Sequence, residues 1–402
     1  MNTQTARPRR RRSNALDVVV AGGGMVGAAT ALALSREGLE VMVVEAREPA
    51  PWDPDAEVDL RVVALAPSSA RLLDDIGAWQ PILARRANAY RHMHVWDAAH
   101  GAALDFDAAD LDRESLGWIV ENALVQHVLW QALDAAGVRR ECPARVVAFT
   151  ASGEGVRVTL DDDRHLDARL LVAADGAASP LRATAGIGTR GRDYAQRGVV
   201  AHVRFERQHQ DTAWQRFLAD GPLALLPLAD GRCSIVWTLP EARAREVLAL
   251  DDAAFRDALG VASDFRLGRV TACSPRAGFP LRLQLAERYH AERLALIGDA
   301  AHVVHPLAGQ GVNLGLRDVA ELRDAVAAAY QAGRDIGSDA VLRRYARRRR
   351  SADTLDAWSF DALQRVYASD LAPAIALRGW GVLAVDRCKP LKRRLAAHAA
   401  GI

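Results

Sequence analysis

A short apolar strand, Leu16 to Ala21, runs directly into Gly-Gly-Gly-Met-Val-Gly, and a helical pattern follows from Met25 to Arg36. Gly22, Gly24 and Gly27 therefore give the spacing GxGxxG at the point where a strand turns into a helix. Glycine there lets the backbone turn tightly and approach a pyrophosphate, which then rests on the positive end of the helix. The next apolar run, Val41 to Val44, ends at Glu45, close to the ~20-residue spacing expected of a carboxylate that holds a ribose. Strand, turn, helix, strand and acid together predict a βαβ unit that binds a dinucleotide. An acid at that place favours a ribose without a 2′-phosphate, so FAD or NAD is expected there before NADP.

The same stretch imitates an export signal, because the basic residues before Ser13 precede an apolar run. Asp17 and three consecutive glycines argue against that, since an apolar signal core must be helical. No apolar run reaches the roughly 20 residues needed to cross a bilayer. Over 402 residues, 52 basic side chains face 50 acidic ones, so the overall charge gives no reason to expect nucleic acid. Cys142, Cys233, Cys273 and Cys388 stand far apart without a CxxC pair, which argues against a disulfide framework, zinc or a redox dithiol. A cytoplasmic location is expected.

Helices are expected at Ser68 to Ile76 and at Asn122 to Ala136, with a hairpin of Tyr90 to Asp97 and Ala102 to Phe106 between them. From Val146 short strands take over. The turn Asp161 to His165 precedes a buried strand at Leu170 to Ala174, and residues 198 to 239 suit a second, antiparallel sheet. Gly186 to Gly191 repeats the glycine spacing, but with no strand before it and no helix after it is read as a loop. A long helix is expected from about Val312 and another near 338 to 370. The run Arg343 to Arg350 reads as a solvated helix face, with anionic lipid or a partner as the alternative.

Two further strand ends carry chemistry. Leu294 to Ile297 stops at Gly298 and Asp299, which places a carboxylate at the carboxyl edge of a parallel sheet, where ligands bind. Such a group accepts hydrogen bonds from polyol hydroxyls, and the ribityl chain of FAD offers them. Beyond Pro306, free amides at Gly311 and Val312 open the next helix, whose positive terminus suits the N1 and O2 edge of a reduced flavin. The plain alternative is a strand-loop-helix connection capped by Asn313. His302 is expected to bond within the turn after the strand. The other end is "ADGAASPLR", in which Asp175 and Gly176 close a strand and Ser179 and Pro180 start a helix.

In their chain order, the glycine loop, then Asp175–Gly176, then Gly298–Asp299, the three motifs resemble the FAD-dependent aromatic hydroxylases of the para-hydroxybenzoate hydroxylase fold. "GDAAHVVHPLAGQGVNLGLRD", "RVVALAPSSARLLDDIGAW", "ENALVQ" and "GPLALLPL" are similar to the ubiquinone-biosynthesis hydroxylases among them. The resemblance implies an α/β fold: a Rossmann-like FAD-binding domain, an inserted antiparallel β-sheet substrate domain and a C-terminal helical region. FAD binding would use residues 14–77, 103–186 and 286–345, and the substrate domain 78–102 and 187–285. Residues 346–402 would form the helical region and 1–13 a disordered basic tail.

The resemblance also implies roles. Arg61 and Asn122 would stand near the flavin, although a helix N-cap is an equal reading of Asn122. Asp299 would hold the ribityl chain, and Pro306 with Gly309, Gly311, Val312 and Asn313 would line the ring system. Asp175 would support the fold and a nicotinamide-linked role. The implied reaction reduces FAD with NAD(P)H, adds O2 at flavin C4a to give a hydroperoxide, and hydroxylates a polyprenylated phenol. Pro306 and Leu307 would lie where that oxygen is handled, and His305 is a candidate proton relay beside a structural reading. Leu223 to Leu228 and Ile235 to Leu239 read either as a channel for the prenyl tail or as sheet core. Trp380 to Leu395, an apolar half followed by Lys389, Lys392, Arg393 and Arg394, suits a membrane surface or other ubiquinone-biosynthesis proteins, or a plain capping helix. Rival activities on such a scaffold are a flavin-dependent reductase, a halogenase and a non-catalytic flavoprotein subunit.

Overall fold

The computed structural model describes residues 16–99, 101–304 and 311–351. The basic tail and the segment Trp380 to Leu395 lie outside the described residues, as do His305, Pro306, Leu307 and Gly309.

The first body is a sheet ordered His290–Ala291, Leu294–Leu296, His165–Ala173, Leu16–Ala21, Val41–Val44, Arg139–Glu141, parallel throughout except for the antiparallel edge strand His290–Ala291. Its central strands are buried on both faces, which is why they read as unbroken Val, Leu and Ala runs rather than as an alternation. The helix Met25–Arg36 buries every residue from Gly27 to Leu34, because the helices Gly311–Gln331 and Asn122–Ala135 flank it. The strands Val146–Ser152 and Gly155–Leu160 extend the same sheet antiparallel from His165–Ala173.

The second body is a nine-stranded sheet ordered His302–Val303, Ala277–Ala286, Thr189–Phe205, Cys233–Pro240, Gly221–Pro227, Thr212–Leu218, His92–Asp97, Ala103–Asp107, with Val270–Cys273 beside Thr189–Phe205. It is antiparallel except where Thr212–Leu218 runs parallel to His92–Asp97. Thr189 to Gly191, expected as loop, open its longest strand, so Gly186–Gly191 is only in part a connection. The strand needs no apolar start because its first residues are exposed and its burial begins at Gly198.

The two apolar runs of this sheet divide by face. Leu223, Leu225, Ile235, Trp237 and Leu239 form a core with Val199, Ala201 and the helix residues Phe255 and Leu259. Ala224, Leu226 and Val236 point the other way and meet Val58, Val62, Ala64, Tyr90 and Ile119. Those partners belong mostly to a small sheet of Val62–Leu65, Gly117–Glu121 and Asn88–Tyr90 that joins the two bodies. Strand periodicity therefore divides each run between two packed apolar clusters, one on each face of the sheet.

Residues 339–351 are helical, and the run expected as a solvated face is not uniformly so. Tyr345 is fully buried and its hydroxyl donates to the Leu296 carbonyl at 2.7 Å, while Arg349 turns inward. The reason is helical geometry, which sends every third or fourth residue of even a basic run toward the core.

Candidate cofactor and active site

One register places four loops side by side. Ala21 pairs with Ala173 and Val44, and Ala173 pairs with Leu296, all in parallel. Gly22, Glu45, Ala174 and Ile297 therefore leave the sheet in one rank at its carboxyl edge, carrying the glycine loop, the acid, Asp175 and Asp299 with them.

At the glycine loop, Gly22 has φ +106°, and a Cβ on it would collide with the Ala174 carbonyl. A Cβ on Gly27 would collide with the Gly22 carbonyl, which closes the turn onto the helix. Gly24 differs: among the described residues, no atom beyond its chain neighbours lies within 4 Å of where its Cβ would stand. It is the N-cap of the helix and has no capping side chain, so the first helical amides face open space. Glu45 accepts from the Gly23 amide at 2.5 Å and from Arg47 at 3.0 Å. The Trp130 indole donates to the Gly23 carbonyl at 2.7 Å, with the Arg140 guanidinium 4.8 Å over its ring. Trp130→Phe removes that donor and part of the buried indole, so thermal unfolding is expected to show a loss of about 1–3 kcal/mol.

At the other end, Gly298 has φ +56°, and Val26 packs against both Gly298 and Gly315. Asp318 lies beneath this turn, fully buried. One carboxylate oxygen accepts from the Gly298 amide at 2.8 Å and contacts His302 Nε2 at 2.6 Å, and the other accepts from Arg349 Nε at 2.6 Å. His302 thus reaches sixteen residues along the chain, a contact beyond the turn in which it was expected to bond. A nearby peptide carbonyl is a weaker partner for a buried imidazole than a carboxylate. Full burial alone would push Asp318 up, but His302 and Arg349 outweigh it and hold the carboxyl below its ordinary value. Asp299 is reached by solvent at the bottom of the crevice. Desolvation by the surrounding walls raises its carboxyl above the usual range, against the opposing fields of His302 and Arg61.

Arg61 is exposed and lies close enough to Asp299 for its charge to register there. The loop that carries it is tied down from several sides. Buried Glu121 accepts from the Asp59 amide at 2.8 Å and pairs with Arg86 at 3.0 Å, and His202 Nε2 meets the Asp59 carbonyl at 3.0 Å. The Arg61 carbonyl accepts from the Asn122 amide at 2.9 Å. Asn122 is the first residue of its helix and Glu121 the N-cap, so the capping role is not the one Asn122 plays. Its Oδ1 is buried without a partner among the described residues, as is Oδ1 of Asp175. The other Asp175 oxygen accepts from the Leu181 amide at 3.2 Å, and desolvation raises this carboxyl despite Ser179 and Arg182. Arg182 bridges the two acidic loops, donating to the Ala300 and Ala177 carbonyls at 2.9 Å each.

The described helix Gly311–Gln331 includes the expected start at about Val312, and among the described residues no atom beyond its chain neighbours and own helix backbone lies within 4 Å of a Cβ on Gly311. Asn313 does not cap it. Its buried amide accepts from the Ala66 amide at 2.8 Å and from Ser69 Oγ at 2.7 Å, and donates to the Ala64 carbonyl at 2.7 Å. That leaves its backbone, not its side chain, for a ligand.

The chemistry of these groups fits FAD: open amides and empty space over Gly24 for phosphates, acids at Glu45 and Asp299 for sugar and polyol hydroxyls, and orphaned oxygens at Asn122 and Asp175. Trp130, Glu121, Arg182, His202 and Arg349 are absent from the sequence reading, because each finds its partner across the fold. Asp318 did leave a signal, since Leu314, Asp318, Leu322 and Val326 form one i, i+4 row with a single charge among apolar residues.

A family model described as an FAD binding domain matches residues 15–355. The 3-demethoxyubiquinol 3-hydroxylase of Escherichia coli is 38% identical over 389 residues, covering 96% of this chain and 98% of that protein. The mitochondrial ubiquinone biosynthesis monooxygenase COQ6 of Homo sapiens is 36% identical over 434 residues, covering 96% and 92%. Among solved structures, Pseudomonas aeruginosa PqsL in complex with 2-aminobenzoylacetate superposes with a TM-score of 0.76 at 24% identity, covering 92% of this chain and 100% of that one.

Proposed function

Since the chain belongs to the family of FAD-dependent hydroxylases defined by this FAD binding domain, we propose that it hydroxylates the ring of a polyprenylated phenol during ubiquinone biosynthesis. NAD(P)H is the proposed electron donor. The observation that carries the reading is the single rank of strand ends, which aligns Gly22, Glu45, Asp175 and Asp299 along one crevice.

Bound FAD supplies the redox chemistry, taking electrons from NAD(P)H and delivering them to dioxygen. The chain does the rest. The amides behind Gly24 would hold the pyrophosphate, and Glu45 would accept from the adenosine ribose. Asp299, whose carboxyl is raised by desolvation, would accept from the ribityl hydroxyls. The Gly311 and Val312 amides would stabilise the pyrimidine end of the reduced ring. Arg61 and Asn122 would bind near the flavin, and Asp175 would support the fold and a nicotinamide-linked role. Gly309 would line the ring system, Pro306 and Leu307 would handle the reacting oxygen, and His305 would relay a proton. The protein's share is to exclude water from the reacting atoms.

Incubation with a short-chain prenylphenol, NADH and isotopically labelled dioxygen tests this. The product is expected to carry one labelled oxygen on the ring. A saturated side chain, a halogenated ring, or label absent from the product contradicts it.

A further inference from the structure

Asp59, in the loop that carries Arg61, is bonded from both bodies of the fold. Its amide donates to Glu121 at 2.8 Å, its carbonyl meets His202 Nε2 at 3.0 Å, and its Oδ1 accepts from the Arg61 amide at 3.0 Å. The Arg61 carbonyl accepts from the Asn122 amide at 2.9 Å. Both backbone groups of Arg61 are therefore engaged, one of them with Asp59 itself. Glu121 ends a strand of the small joining sheet, and His202 lies within the strand Thr189–Phe205 of the nine-stranded sheet. The same loop also meets that sheet through Arg232 and Glu57 at 3.1 Å, but Glu57 is exposed and such a pair contributes little.

His202 is a fixed post. It is buried opposite Ser234 in the antiparallel ladder. Its amide donates to Ser274 Oγ at 2.9 Å, and its carbonyl accepts from the Ser274 amide at 2.8 Å. A peptide carbonyl can only accept, so the ring proton that faces Asp59 sits on Nε2. Burial pushes the imidazole below its ordinary value, which keeps the ring neutral and Nδ1 bare. That nitrogen is buried without a partner among the described residues, as is Oγ of Ser234 across the ladder. A buried ring with one nitrogen unpaired is a costly way to fill space. What this side chain adds is the bond to Asp59.

We propose that His202 is a positioning residue for Arg61: through the Asp59 carbonyl, the nine-stranded sheet sets where the Arg61 guanidinium stands relative to Asp299 and the bound flavin. The flavin part of this rests on the placement of Arg61 under the proposed function. A displaced anchor displaces the guanidinium, and the field it exerts falls with distance.

The test is reductive titration of the flavin-loaded full chain, which reads the midpoint potential of the bound flavin. A guanidinium near the ring favours its anionic reduced form, so R61A is expected to lower the potential. H202L removes the donor and is expected to lower it too, by a roughly two- to tenfold fall in the ratio of reduced to oxidised flavin at fixed poise, the span of one hydrogen bond. H202F also removes the donor while keeping a ring, and the same fall is expected, so the comparison does not hang on one variant. H202Q, whose amide nitrogen can donate to the same carbonyl, is expected to recover most of the loss. In R61A/H202L the second substitution is expected to add nothing to the first. A fall that persists in the R61A background, or that H202Q fails to recover, overturns the positioning role. So does a parent-like potential in H202L and H202F where R61A lowers it. A potential that R61A leaves unchanged overturns the placement of Arg61 by the flavin, and the proposal with it. The titration uses neither phenol nor dioxygen, so failure here leaves the hydroxylase reading standing, and failure of turnover leaves this measurement intact.

Discussion

Asp318→Asn is expected to cost about 3–5 kcal/mol, a large share of the total for a folded protein. The carboxylate is the shared partner of the Gly298 amide, His302 and Arg349, all in a dry interior. Asparagine has nearly the same shape but leaves the guanidinium buried without its counter-charge, and its NH2 faces donors. Denaturant unfolding of the flavin-bound protein measures the loss as a lower midpoint at unchanged slope. The pH dependence separates charge from shape. The Asp318 carboxyl is held below its unfolded value, so its contribution is complete above roughly pH 4 and fades as pH falls through the folded value. The gap between parent and variant should therefore be constant near neutrality and close in acid. A gap unchanged down to acid pH would mean that packing, not charge, carries the effect.

Substitutions at Gly24 and Gly27 are expected to separate cofactor binding from folding. A Cβ at Gly27 meets the Gly22 carbonyl, so Gly27→Ala forces the turn open and should lower both stability, by about 1–3 kcal/mol, and flavin retention. A Cβ at Gly24 meets, among the described residues, no atom beyond its chain neighbours within 4 Å, and its φ of −64° is ordinary for any residue. Gly24→Val should therefore leave apoprotein unfolding within about 0.5 kcal/mol of the parent, whereas flavin affinity should fall roughly tenfold or more, by the same overpacking cost applied to the complex. Equilibrium titration with FAD and apoprotein melting are the two readings. Intact flavin affinity in Gly24→Val would remove the pyrophosphate from that helix end.

The parts of this molecule that were legible in the sequence are those fixed by local chemistry. The strand Leu16–Ala21 and the helix Met25–Arg36 stand where the glycine spacing put them, because the turn between them tolerates few other residues. The long strand from Thr189 was not legible, since its first residues are polar and exposed and are held by pairing with Ala277–Ala286. Nor was the parallel pairing of Thr212–Leu218 with His92–Asp97, for no local pattern encodes a partner so distant. The apolar runs Leu223 to Leu228 and Ile235 to Leu239 were legible as buried strand but not in their division, since alternate residues pack into two separate apolar clusters. At the site, the motif acids could be read from their strands, while the groups that hold them, Arg182 and Arg349 above all, depend on contacts across the fold.

Whether this site holds an FAD that NAD(P)H reduces and that then hydroxylates a prenylated phenol is read from the visible spectrum of the purified protein. Flavin bands should bleach on anaerobic addition of NADH, faster when a short-chain prenylphenol is present, and should return on admitting air as hydroxylated phenol appears. A protein that stays colourless after incubation with FAD, or whose flavin is untouched by NADH and NADPH with the phenol present, would show that it does not.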